Sequence, residues 1–310
     1  MAAPEYDILA VGDLNVDLIL SGIRDVPEFG REVLASGLGL HLGGCTANLA
    51  VFCHRLGLRV AFVARVGRDD FGEFLIRKLG EIGLSAEHII RDETLGTGLT
   101  ASLSAAHDRA FVTYVGTIDS LAEDDVPDAL LAQCRHLHLG SYFLQTRLQP
   151  GCAELFRRAK AAGLTTSLDT GYDPYEGWDA GIREVLAQTD VFLPNEIEAL
   201  EITKAATVEA ALGELAQMSG MVALKLGAEG SVARQDDRVL RQKPFAVEVV
   251  DTTCCGDAFD AGFLSAMREG LPLEDCLQWG SASGGLIAGG SGNAAERLSR
   301  EAVEGLIAGG

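Results

Sequence analysis

Residues 251–259, near the C-terminal end, combine an acid with a turn of small side chains. A helical pattern follows at once, since Phe259 and Phe263 recur at helical spacing. Gly256 and Asp257 therefore fall where the first backbone N–H groups of a helix lack intrahelical partners and attract anions. An acid at such a position repels phosphate unless it takes part in the chemistry. We interpret Asp257 as a base that deprotonates a hydroxyl attacking a phosphoryl group.

A second polar group follows the first predicted strand and consists of Asp13, Asn15 and Asp17. These residues alternate along the chain, so in an extended segment all three face one side. They also lie near the carboxyl end of a strand, where open α/β sheets bind ligands. A set of turn-capping residues is the alternative interpretation.

The glycine pair Gly43 and Gly44 precedes a predicted helix that carries Asn48 in its first turn. Glycine lets the backbone approach a polar ligand closely, and the amide of Asn48 can both donate and accept hydrogen bonds, as a polyol requires. A glycine pair before a helix can also be a simple turn.

Two further segments could contact a nucleotide. Residues 225–230, which include Lys225, Gly227 and Gly230, follow an apolar strand but match neither a P-loop nor a dinucleotide-binding motif. Asn195 and Glu198 begin a helix after another strand, and a carboxylate beside phosphate is a natural partner for Mg²⁺, often through water. The same N-x-x-E spacing is also typical of helix capping.

The elements that must position these residues alternate along the chain. Strands are predicted at 6–11, 59–66, 136–139, 165–168, 191–193, 221–225 and 245–250, and helices at 46–56, 70–82, 151–162 and 208–218. This alternation indicates an α/β domain with a mainly parallel sheet covered on both faces. Residues 15–40 and 98–116 alternate like antiparallel strands without helices, and we interpret them as a small β-sheet lid. Cys134, His136 and His138 alternate on one face of a strand, as the ligands of a metal site can, but no fourth ligand is apparent nearby, which favours a buried strand with hydrogen-bonded imidazoles.

Composition excludes several classes of protein. The chain has 310 residues and a net charge of −20, which argues against a nucleic-acid partner. No signal peptide and no membrane span are expected, and the odd number of seven cysteines indicates reduced thiols in a cytoplasmic protein. Thiols at an anion-binding helix start have a lowered pKa, so Cys254 or Cys255 could be sensitive to oxidation, although cysteine can simply fill a small apolar position.

Taken together, the motifs resemble the ribokinase-like carbohydrate kinases of the PfkB family over nearly the whole chain. The first family signature is matched by Gly43, Gly44, Asn48, Ala50, Gly57 and Gly67, with Thr46 where a smaller residue is usual. The second is matched by Asp251, Thr252, Gly256, Asp257, Ala261 and Gly262, with Cys254 and Cys255 at the small positions. An acidic residue that ribokinases carry near Gly140 is absent, which weakens the case for ribose.

The resemblance implies a single Rossmann-like, three-layer ribokinase-type domain over residues 1–310, with a β-lid and with ATP, Mg²⁺ and a sugar or nucleoside as ligands. Asp257 would be the base, and the N–H groups of Cys254, Cys255, Gly256 and Asp257 would form an anion hole. Substrate hydroxyls would meet Asp17, Gly43, Gly44 and Asn48; the nucleotide would meet Asn195, Lys225, Gly227, Gly230 and Gly256. Glu198 would hold Mg²⁺ through water, and Asp251 would belong to a monovalent-cation (K⁺) loop.

The resemblance predicts an ATP-dependent sugar kinase, with a homodimer formed through the lid by analogy with many relatives. A nucleoside kinase of the same fold is the alternative, in which Phe111, Tyr114, Tyr142 or Phe143 would supply a slot for the base. A sugar-binding sensor without catalysis is a third hypothesis, and the presence of Gly256 and Asp257 speaks against it.

Overall fold

The computed structural model describes residues 4–25, 27–105, 109–290 and 296–309. The strands are β1 (Ile8–Val11), β2 (Asn15–Ile23), β3 (Gly37–Gly43), β4 (Val60–Gly67), β5 (Ile89–Asp92), β6 (Leu99–Ala105), β7 (Arg109–Tyr114), β8 (His136–Leu139), β9 (Thr165–Leu168), β10 (Val191–Phe192), β11 (Val222–Lys225), β12 (Ser231–Gln235) and β13 (Arg238–Gln242). The helices are α1 (Cys45–Arg55), α2 (Asp70–Ile82), α3 (Asp128–Leu131), α4 (Gln149–Ala161), α5 (Ile182–Leu186), α6 (Glu196–Thr203), α7 (Val208–Met218), α8 (Cys255–Arg268), α9 (Leu273–Ala288) and α10 (Arg300–Gly309).

The main sheet of the described residues has the strand order β13-β12-β11-β10-β9-β8-β1-β4-β5. Its strands pair in parallel from β11 to β5, while β12 and β13 extend one edge in antiparallel pairing. Parallel strands need helical crossovers, and these crossovers cover both faces of the sheet. The predicted α/β fold with a mainly parallel sheet is confirmed.

Two hydrophobic cores lie on opposite faces of this sheet. Side chains of a strand alternate between faces, so Ile8 of β1 packs in the core that holds Phe263 of α8. Its neighbour Leu9 packs in the other core, which holds Phe156 of α4. The chain therefore forms three layers, and the carboxyl ends of the parallel strands meet at one edge of the middle layer.

The small sheet has the strand order β3-β2-β6-β7 and comes from the two segments predicted to form the lid. Its pairing is mixed, because β2 runs parallel to β6 and antiparallel to β3. The register places Leu18 between Leu40 and Ala101 on one face. On the other face the register places Asp17 between His41 of β3 and Thr100 of β6. One face is therefore apolar, and the face that carries Asp17 is more polar.

The segment after β13 differs from the sequence-based prediction of a strand. Residues 245–250 are not a strand, since Pro244 lacks the N–H group that would continue pairing after β13, and Val249 and Val250 are exposed. The turn predicted around 106–109 falls largely outside the described residues.

None of the helices within the described ranges combines the length and apolar character needed to cross a membrane.

The two histidines of β8 belong to the core, as predicted. His136 has Thr165 and Ser167 hydroxyls 2.7 Å from its two ring nitrogens, and His138 Nδ1 lies 2.8 Å from the same Ser167 hydroxyl. Burial lowers the pKa of His138 to about 4, so the ring is neutral. Within the described part of the chain, no cluster of three or more potential ligands could hold a metal ion.

Candidate active site

The first turn of α8 lies at the carboxyl edge of the main sheet. The helix begins at Cys255, and its N-cap residue Cys254 has left-handed backbone torsion angles, with φ of 61°. Gly256 and Asp257 thus occupy the first turn, as the sequence predicted. The N–H group of Cys255 donates to the Thr252 carbonyl at 3.3 Å, so this group of the predicted anion hole already has a partner.

Asp257 is buried, with 9% of its surface exposed, and is held from a distant part of the chain. Asn48 of α1 donates from Nδ2 to Asp257 Oδ2 at 2.9 Å and to Cys254 Sγ at 3.2 Å. Burial raises the pKa of Asp257 to about 7, and Asp169 adds to the rise. The Asn48 hydrogen bond and the Lys225 ammonium oppose it. Such a carboxylate is suited to accept a proton near neutral pH.

The glycine pair brings the small sheet against α1. A side chain at Gly43 would overlap the carboxylate of Asp17, since an added Cβ would lie 2.2 Å from its Cγ and Oδ1. Gly44 has φ of 104°, a conformation that favours glycine, and an added Cβ would lie 2.8 Å from the Asp13 carbonyl oxygen. Only glycine fits both positions without movement.

The three polar residues after β1 divide into two groups. Asp13 caps α1, because its carboxylate accepts hydrogen bonds from the N–H groups of Cys45 and Thr46 and from the Thr46 hydroxyl. For this residue the capping interpretation is confirmed. Asn15 donates to Asp17 Oδ1 at 3.0 Å, and burial raises the pKa of Asp17 to about 6. Asn15 and Asp17 therefore form a polar pair at the root of the small sheet.

Asn195 and Glu198 form a reciprocal capping box at the start of α6. The Asn195 side chain accepts from the Glu198 N–H group at 3.0 Å, and the Asn195 N–H group donates to Glu198 Oε2 at 2.9 Å. Glu198 is 3% exposed, and burial together with Asp169 raises its pKa to about 7. The capping interpretation is confirmed. A buried carboxylate beside a cavity also fits Mg²⁺, which keeps several waters and takes one or two carboxylates.

A cavity of about 790 Å³ runs along the first turn of α8. It is lined at its polar side by Cys45, Asp169, Asn195, Glu198, Lys225, Gly256 and Asp257. Its other lining residues include Gly227, Gly230, Pro244, Phe245, Ala246, Val247, Val249, Gly284, Gly285 and Ala288. Gly230 has φ of 91°, and an added Cβ would lie 2.1 Å from the Gln242 carbonyl oxygen, so the loop after β11 requires glycine there.

Several predicted residues lie elsewhere. Tyr142 and Phe143 are buried in the core and do not form the predicted aromatic slot, while Tyr114 is exposed on the small sheet. Phe111 is also exposed there. Asp251 accepts from the N–H and hydroxyl groups of Thr253, as in a turn.

The cysteines differ from the sequence-based hypothesis. Burial, together with the carboxylates of Asp257 and Asp17, raises the pKa of Cys254 well above its usual range. A lowered pKa was the reason to expect oxidation of Cys254 at this helix start, so the structure removes that reason.

Sequence reasoning missed Asp169, Asp260 and Cys45. Asp169 directly follows β9, a strand whose carboxyl end reaches the site. Asp260 lies three residues after Asp257, hence on the same face of α8. Cys45 begins α1, and its thiol lines the cavity. The position of Asp169 at a strand end was the available signal, since the same position drew attention to Asp13.

The three-layer α/β fold and the buried carboxylate at the start of α8 are compatible with a phosphotransferase, and the comparison with known families decides the class. Residues 6–298 match the family model described as pfkB family carbohydrate kinase, and the chain belongs to this family. It is a sugar or nucleoside kinase of that family.

Relatives with different acceptors resemble the chain to a similar degree. It is 31% identical over 249 residues to a fructoselysine 6-kinase of Shigella flexneri, covering 77% of this chain and 87% of the relative. It is 27% identical over 286 residues to a nucleoside kinase of Methanothermobacter thermautotrophicus, covering 91% and 89%. The structure of Arabidopsis thaliana ribokinase complexed with ribose and ATP superposes with a TM-score of 0.84 at 24% identity, over 99% of both chains.

Proposed function

We propose that the protein is an ATP-dependent sugar kinase in which Asp257 is the general base. The observation that carries this proposal is the hydrogen bond from Asn48 to Asp257, 2.9 Å long. This hydrogen bond joins the cavity along α8 to the polar side chains of Asn15, Asp17 and Asn48, which lie where α1 meets the small sheet. A donor nucleotide in the cavity and an acceptor hydroxyl beside Asn48 would therefore meet at one carboxylate.

The cavity supplies features that suit a nucleotide. Its apolar wall, which includes Phe245 and Val247, suits a base, and its polar side near Gly256 suits phosphates. The free N–H groups at a helix start and the helix dipole favour phosphate there. We assign Asn195 and the loop from Lys225 through Gly227 to Gly230 to the nucleotide side.

The polar group beside the small sheet suits a sugar. Asn15, Asp17 and Asn48 provide carboxylate and amide groups that can hydrogen-bond several hydroxyls, and Gly43 and Gly44 let the backbone come close. Asp13 holds the start of α1, and so the position of Asn48, through its capping bonds.

The proposed reaction moves one proton and one phosphoryl group. Asp257 accepts the proton of the sugar hydroxyl while that oxygen forms a bond to the γ-phosphorus of ATP. The bond from that phosphorus to the bridging oxygen breaks, and ADP leaves with the electron pair. The N–H groups at the start of α8, from Gly256 and Asp257, stabilise the charge on the transferring group.

Two cations enter the proposal. Mg²⁺, when bound, would neutralise phosphate charge, and Glu198 would hold it through water. A K⁺ site at Asp251 stays a prediction, because the described contacts of this carboxylate are those of a turn.

A substrate panel tests the proposed function. Purified protein is incubated with ATP, Mg²⁺ and single sugars or nucleosides, and formation of ADP is measured together with the phosphorylated product. We expect turnover with one or more sugars. Turnover with nucleosides alone would establish the alternative kinase, and binding of sugar without formation of ADP would identify a non-catalytic sensor.

Gly43→Ala is expected to weaken sugar binding. The added methyl group overlaps the Asp17 carboxylate, whose displacement would remove a charged hydrogen bond to a hydroxyl. Such a loss raises KM for the sugar about tenfold to hundredfold and leaves KM for ATP nearly unchanged. Steady-state kinetics measure both constants. Gly80→Ala is the matched control, since an added Cβ there has no atom within 4 Å, and an equal effect of both changes would contradict the assignment.

The apolar face of the small sheet favours a homodimer. Leu38 is 73% exposed and Val112 is 63% exposed, and both lie in the rows that contain Leu18 and Leu20. Exposed apolar rows on a sheet typically mark an interface. A second copy of the chain covering this face stays a prediction.

A further inference from the structure

Three side chains form a buried ionic cluster behind the first turn of α8. Lys225 Nζ lies 2.6 Å from Asp169 Oδ2 and 3.0 and 3.1 Å from the two carboxylate oxygens of Asp260. Only 12%, 11% and 1% of the Lys225, Asp169 and Asp260 side chains are exposed. A buried charge is tolerated only when it is paired, so the three groups depend on one another.

The cluster joins three separate elements. Asp169 follows β9, Lys225 ends β11 and Asp260 belongs to α8, where it lies on the same face as Asp257. The ammonium also lies beneath the anion-binding turn, since a Cβ added to Gly256 would be 3.7 Å from Lys225 Nζ. The ion pairs therefore fix the first turn of α8 to the carboxyl ends of two strands.

The charges of the cluster also act on the candidate active site along α8. Lys225 is the one basic residue among the cavity-lining residues in the described part of the chain, whereas Asp169, Glu198 and Asp257 are acidic. A site with three acids and one cation is sensitive to the loss of that cation, because each charge changes the proton affinity of its neighbours.

We propose that Lys225 is a positioning residue for phosphoryl transfer: its ammonium, held by Asp169 and Asp260, fixes the first turn of α8 and supplies the positive charge near Asp257. The inference rests on the proposed function for its catalytic meaning. The cluster itself is a property of the fold.

The positive and negative charges of the cluster shift the pKa of Asp257 in opposite directions. Lys225 lowers the pKa of Asp257, and Asp169 raises it. The groups that face Asp257 from the surrounding elements are Asp13, Cys45, Asn48, Asp169, Lys225 and Cys254. Burial raises the pKa of Asp260 well above its usual range, and Asp260 also shares a hydrogen bond with Asp169. Neutral replacement of Lys225 and of Asp169 should therefore shift the pKa of Asp257 in opposite directions.

Titration of the Asp257 carboxyl by NMR tests this inference without relying on turnover. Protein labelled with ¹³C at aspartate carboxyls is titrated as wild type, as Lys225→Met, as Asp169→Asn and as the double variant, and Asp257→Asn identifies the resonance. We expect the midpoint to rise by about one pH unit or more in Lys225→Met and to fall by a similar amount in Asp169→Asn. The double variant should return toward wild type.

The outcomes are distinct. Unmoved midpoints, or shifts of both single variants in the same direction, overturn the inference. Should Lys225→Met not fold, Asp169→Asn and the double variant decide, and an Asp169→Asn midpoint that does not fall overturns it. The double variant also removes the unpaired charge, so thermal unfolding by circular dichroism should show it to be more stable than Lys225→Met.

Kinetics connect the cluster to the reaction. The acid limb of the pH profile of kcat/KM should move up in Lys225→Met and down in Asp169→Asn, in step with the NMR midpoints. Limbs that stay fixed while the midpoints move overturn the catalytic part of the inference. If wild type phosphorylates no sugar, the proposed function fails, and the NMR titration still tests the electrostatic role of Lys225.

Discussion

Asp257→Asn is expected to lower kcat by about 10²- to 10⁴-fold, the usual contribution of a general base. The amide keeps the shape of the carboxylate and can still pair with Asn48 after rotation of either amide. It has no basic oxygen that could take the hydroxyl proton. Binding of ATP and sugar, measured by calorimetry, should change only a few-fold, so the loss falls on turnover.

Asp237→Asn is the matched control for this change, since Asp237 is exposed in the turn between β12 and β13. It should leave kcat unchanged. Turnover of Asp257→Asn within a few-fold of wild type would remove Asp257 from the proposed role. If sugar binding is lost to the same extent as turnover, the carboxylate of Asp257 contributes to binding of the sugar rather than to removal of its hydroxyl proton.

Asn48→Asp is expected to lower kcat/KM at pH 7 by about 10²-fold, as a rise of about two units in the pKa of Asp257 implies. The change replaces a donor 2.9 Å from Asp257 Oδ2 by a second carboxylate of the same size. Two carboxylates so close share a proton. Activity should recover in part at higher pH, where Asp257 ionises again, so the acid limb of the profile moves up.

Gln133→Glu is the matched amide-to-acid control, because Gln133 is exposed and donates to the Ala129 carbonyl on the surface. Its pH profile should match that of wild type. An acid limb that stays in place or moves down in Asn48→Asp would show that Asn48 does not control the protonation of Asp257.

Much of the site could be predicted from local sequence. The start of α8 at Gly256 and Asp257 follows from a turn of small residues before a helical repeat. The cap at Asn195 and Glu198 likewise depends on residues only three positions apart. Such features are set by hydrogen bonds within one turn of the chain, so short patterns are sufficient to find them.

Other predictions went wrong where a local pattern met a tertiary constraint. Residues 245–250 have the apolar character of a strand, yet after Pro244 they line a cavity instead of extending the sheet. Tyr142 and Phe143 were candidates for a base-binding slot, yet both side chains are buried in one of the two hydrophobic cores.

Residue types and spacing along the chain were enough to determine the α/β class, the small sheet and the place of Asp257 in the first turn of α8, because periodicity and helix ends are encoded within a few residues. Only the tertiary structure decided which charges surround that acid. Asn48 and Asp257 are 209 positions apart, and Lys225 is 56 positions from Asp169. Burial and pairing across such separations set proton affinities, and neither is visible until the strands and α8 have come together.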